Sequence, residues 1–122
     1  MKRSLFIILS FLFAVAALYH LVGVFIAVDS SPTWRHFLFV CVNGFIAYSL
    51  LKRPKYFIYV FAVLLLQQLY SHGGSFINLW LEQGKIDWIS AGVLLLLPLI
   101  FVLLILDLRR KTLGKLYSNK SF

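Results

Sequence analysis

Four apolar segments, each long enough to cross a bilayer, occupy most of this chain and are separated only by short polar turns. They fall at about 5–28, 32–51, 56–72 and 88–108. A helix rises about 1.5 Å per residue and a hydrocarbon core is about 30 Å thick, so about 20 residues span it. Lipid offers no hydrogen bonds to the backbone, so isolated apolar runs of this kind must be helical. The pattern predicts an all-α integral membrane protein, a four-transmembrane-helix bundle. Composition agrees: 61% of residues are hydrophobic and 13% charged, against roughly 45–50% and 25% in soluble domains. The connections are too short to hold another domain, so one domain is expected over 1–122.

The net charge of +8 is not a nucleic-acid signal, because of where the charges lie. Lys2 and Arg3 precede the first segment, Lys52, Arg53 and Lys55 form the turn after the second, and Arg109, Arg110, Lys111, Lys115 and Lys120 follow the fourth. Ten of the twelve basic residues thus fall on one side, leaving Arg35 and Lys85 on the other with the acids Asp29, Glu82 and Asp87. The positive-inside rule then places both the N- and C-termini in the cytoplasm, in a multi-pass protein of a plasma or inner membrane. The basic residues read as anchors to anionic headgroups, and the lipid bilayer is the first partner. Nucleic acid has no part in this reading.

Met1-Lys2-Arg3, an apolar run and Ala14-Val15-Ala16-Ala17 resemble a signal peptide with its cleavage site. The apolar stretch continues through Leu21, Val24 and Ile26 to Val28, so an uncleaved first helix is expected. Ser31-Pro32 reads as an N-cap and first helical residue, and Arg53-Pro54 as a second helix opening. Gly73-Gly74 is expected to end the third helix after His72, leaving 75–81 as a short interfacial segment closed by Glu82-Gln83-Gly84. Asp87 can cap the fourth helix, and Pro98 should bend it. Trp34, Trp80 and Trp88 read as an outer aromatic belt, with Tyr56 and Tyr59 as inner anchors.

Polar residues within the spans carry whatever chemistry there is. Ala16, His20, Gly23 and Ala27 share a stripe about 60° wide at 100° per residue. Small residues mark faces where helices approach, so His20 is expected to point inward. The second segment offers His36 and Asn43, with Arg35 at its end; Asn43 should reach a neighbouring helix or a backbone group. The third offers Gln67, Gln68, Ser71 and His72. Tyr19 and Tyr70 lie at similar depth. Except for Asn43, these candidates all lie in the outer half of the membrane, and segments one to three are expected to enclose an outward-facing polar pocket. The fourth segment, apolar between Ser90 and Asp107, should add no polar side chain to it.

Three readings compete. The polar groups can be hydrogen-bonding glue between helices. They can line a pocket for a small polar-headed ligand, a quinone or a lipid headgroup. His20, His36 and His72 can hold a metal or haem, although no pair has local ligand spacing such as HxxxH. Cys41 reads as a small apolar packing residue. The sequence has no Walker loop, GxSxG, HExxH or CxxC, so an enzyme is not the favoured reading. The expected function is small-ligand or cofactor binding. The alternative is a non-catalytic accessory or assembly subunit of a membrane complex, docking a membrane partner or a second copy through its fourth helix.

Overall fold

The computed structural model describes residues 3–28 and 31–120. Lys2 and Asp29, used in the charge argument, lie outside that range. The described residues form four helices, α1 (Arg3–Phe25), α2 (Thr33–Lys52), α3 (Phe57–Gln83) and α4 (Trp88–Asn119), with no strand among them. All four are long and apolar enough to cross a membrane. They divide into two compact units, Met1–Pro54 and Lys55–Phe122. Each unit is a helical hairpin.

In the first hairpin α1 buries Phe6, Leu9, Ser10 and Phe13, and α2 buries Ile46, Ala47, Ser49 and Leu50. These positions recur every three or four residues, so each helix buries one stripe. The opposite faces are apolar as well: Ile7, Ile8, Phe11, Leu12, Phe37 and Leu38 are exposed. Apolar helices gain little from each other when lipid is the alternative, so packing and interhelical hydrogen bonds must hold the pair. One such bond runs from the buried Ser10 Oγ to the Ala47 carbonyl, 2.6 Å. Just beyond, at the C-terminal end of α2, Arg53 takes a left-handed conformation (φ 48°) and its N–H caps the Ser49 carbonyl. Its guanidinium lies 4.5 Å from the centre of the buried Phe6 ring.

In the second hairpin Phe57, Phe61 and Leu65 are buried at four-residue spacing, and Ser90, Leu97, Ile100 and Leu104 are the buried positions of α4. Phe61 stacks on Phe101 with ring centres 6.3 Å apart. Gly84 closes α3 in a left-handed conformation (φ 62°), giving its N–H to the Trp80 carbonyl. Asp87 caps α4 as the sequence implied: one carboxylate oxygen accepts from the Ser90 N–H at 3.1 Å.

Several boundaries differ from expectation, among them the opening of α3, which starts at Phe57 with Tyr56 at its N-cap and not at Arg53-Pro54. α1 ends at Phe25, three residues before Val28. α2 has Pro32 at its N-cap, without a side-chain cap bond, so Thr33 and not Pro32 is the first helical residue. α3 does not stop at Gly73-Gly74, and 75–81 is its continuation, not a separate interfacial segment. Each glycine costs about 1 kcal/mol against alanine inside a helix. Breaking the helix at membrane depth would cost more, since several backbone groups would lose partners. α4 continues past Leu108 to Asn119 and passes through Pro98 as one helix.

Candidate functional site

The ten polar candidates divide by hairpin: Tyr19, His20, Arg35, His36 and Asn43 in the first, and Gln67, Gln68, Tyr70, Ser71 and His72 in the second. In the first, the two imidazoles meet. His20 Nδ1 and His36 Nδ1 are 3.0 Å apart, a hydrogen bond in which one ring donates and the other accepts. His36 is 2% exposed. Its ring lies against Gly23, where a Cβ would stand 2.6 Å from Nδ1 and 2.8 Å from Cγ. No side chain fits that space, so glycine at 23 is what lets the ring lie there.

The walls around this pair are aromatic. Phe39 stacks on His20 with centres 5.0 Å apart, and Tyr19 meets both imidazoles edge-on at 5.2 and 6.3 Å. Arg35 places its guanidinium 5.7 Å from the Phe39 ring centre. Asn43 turns back on its own helix, donating to the Phe39 carbonyl at 2.9 Å. Of the two options the sequence left for it, the backbone partner is the one realised.

The second hairpin holds a different arrangement. His72 Nδ1 lies 3.0 Å from Ser90 Oγ, and Ser90 Oγ lies 2.7 Å from the second carboxylate oxygen of Asp87. A serine hydroxyl has one proton. The carboxylate, as a charged acceptor at the shorter distance, takes it. Ser90 must then accept from His72, which fixes a proton on Nδ1. Asp87 itself is held below the usual carboxylate range, first by the Ser90 N–H, then by the Ser90 hydroxyl and, more weakly, by the nearby His72. A nucleophilic serine needs the opposite polarity, with its proton passed to the imidazole. This chain is a cap extended onto a histidine.

The remaining α3 candidates are less enclosed. Gln67 is exposed and its amide oxygen accepts a proton from the Gln68 amide at 2.6 Å. Tyr70 is 87% exposed, and Ser71 is half-buried. Ser90 is the residue the sequence reading missed, having placed no polar contribution on the fourth helix. The available signal was the Asp87-x-x-Ser90 spacing, which puts the hydroxyl three residues beyond a helix cap. No three His, Cys, Asp or Glu side chains are grouped as a metal site among the described residues. Compared with protein-family models, curated proteins and solved structures, the chain matches none.

Proposed function

We propose that this chain is a multi-pass membrane protein with both ends in the cytoplasm, and that it binds a small polar-headed ligand near its outer face. The observation that supports this most is the imidazole pair of His20 and His36, held in an aromatic surround and seated on a glycine. Buried ionisable groups in a membrane are costly and mark functional sites by default. An imidazole pair sharing one Nδ1 proton can match a ligand with its ring nitrogens as donor or acceptor. The aromatic rings beside it suit a flat apolar body. A quinone head has both features, carbonyl oxygens on a planar ring; a lipid headgroup shares only the polar part.

The test uses the full-length protein in mild detergent, with a short-chain benzoquinone as probe and an absorbance scan and metal analysis in parallel. Saturable quinone binding that His20→Ala abolishes supports the proposal. Stoichiometric metal or a Soret band bound through the same residues would replace the quinone with a cofactor. An apo protein that ignores quinone and copurifies with a larger membrane complex overturns it in favour of the accessory role.

A further inference from the structure

α4 is longer than its crossing requires. It begins at Trp88 and runs unbroken to Asn119, and about 20 residues complete a span near Asp107. The remaining residues, 108–119, add about 18 Å of helix. The headgroup layer takes up only roughly 5–8 Å of that. A helix that binds in the plane of the interface lies across the membrane normal. α4 has no interruption after Asp107 at which to turn. Its last turns therefore leave along the axis of the span and enter water.

Those turns are both basic and apolar. Arg109, Arg110, Lys111 and Lys115 are exposed, and the acid at their root, Asp107, is paired with Lys111 at 3.1 Å. Leu113, Leu116 and Tyr117 are 44%, 54% and 74% exposed. At 100° per residue these three fall within an arc of about 100°, and Lys111 and Lys115 stand opposite. Arg109 and Arg110 lie one turn nearer the membrane than Leu113. The i, i+3, i+4 spacing is that of a helix entering an apolar groove. A second copy is a poor occupant, because like charges would face each other. A nucleic acid would engage the cations through its phosphates and leave the apolar stripe in water.

We propose that the protruding end of α4 is a docking helix for a water-soluble protein whose apolar groove is rimmed by acidic residues. Leu113, Leu116 and Tyr117 enter the groove, and Arg109 and Arg110, on the same face one turn nearer the membrane, meet its acidic rim. The proposal rests on the membrane-crossing reading, and on the cytoplasmic orientation only for the partner's compartment.

The experiment places a photoreactive benzoylphenylalanine at Leu116 in the full-length protein in native membranes. The expected result is one discrete adduct to an acidic protein, lost in Leu113→Glu/Tyr117→Glu and weakened by salt and by Arg109→Glu/Arg110→Glu. The purified partner should then bind the protein in neutral-lipid nanodiscs and lose about tenfold or more in affinity to the charge-reversed variant, a change of about 1.4 kcal/mol. Adducts to lipid or to RNA, or no adduct, overturn the proposal. Cysteine at Ser118, in a Cys41→Ser background, tests the orientation separately. Labelling only after permeabilisation supports a cytoplasmic partner, and labelling from outside overturns that placement while the adduct still decides the docking.

Discussion

The two hairpins each bring a histidine to a polar partner, and they do so by opposite means. In the first, His36 is buried against a bare glycine backbone and bonds a second imidazole among aromatic rings. In the second, His72 bonds a serine already committed to a carboxylate at a helix cap. The first arrangement depends on shape, because the rings must fit where Gly23 leaves room. The second depends on charge, since it is polarised by Asp87. Substitution and pH should therefore affect the two hairpins differently.

The largest effect should come from Gly23→Ala. Its new Cβ would press into the His36 ring, and overpacking of this kind costs about 1–3 kcal/mol. Gly73→Ala in the second hairpin, where nothing lies within 4 Å of a built Cβ, should instead stabilise by up to about 1 kcal/mol. Thermal unfolding in detergent compares the two, and equal shifts would remove the shape argument.

His20→Ala leaves the buried His36 without that partner and should cost about 1–3 kcal/mol. His20→Gln, with a hydrogen-bonding group of similar reach, should recover stability. If it also recovers benzoquinone binding, the imidazole acts only through its hydrogen bond; if binding stays lost, the ring itself is needed. Wild-type stability and binding in both variants would make His20 passive.

Ser90→Ala should cost about 1 kcal/mol by removing the hydroxyl that bonds both Asp87 and His72, whereas Asp87→Asn keeps a capping oxygen and should cost less. Asp87 also supplies the pH dependence. Its folded carboxyl is held below its ordinary value, so its stabilisation is fully present above about pH 4–5 and is lost as pH falls through the lowered folded value. Unfolding curves from neutral to acid pH should show this loss in the wild type and not in Asp87→Asn. An unchanged acid limb would mean that Asp87 is not what the second hairpin titrates.

The smallest effect should be that of Asp107→Asn, which removes an i,i+4 pair to the half-exposed Lys111. About 0.3–0.5 kcal/mol is expected, and a larger loss would show that this end of α4 carries more than a surface ion pair.

Periodicity and composition were enough to count the helices, because lipid leaves an apolar run of about 20 residues few alternatives. Asp87 as a cap and Gly84 as a stop were also legible, each being a local matter of one side chain or one φ angle. Gly73-Gly74 misled, because a local propensity of about 1 kcal/mol per glycine was outweighed by the backbone bonds of a continuing helix. Whether Asn43 would look outward or back to Phe39 depended on rotamers that the sequence does not display.

The sequence by itself determined four helices long and apolar enough to cross a membrane, with histidines in three of them. Tertiary structure alone decided that His20 meets His36 and that His72 meets Ser90, residues 16 and 18 positions apart. Helical period fixes the face on which a side chain lies. The partner it finds across a hairpin depends on how closely the backbones approach and in what register, and here a missing Cβ at Gly23 and a turn closed by Gly84 set both.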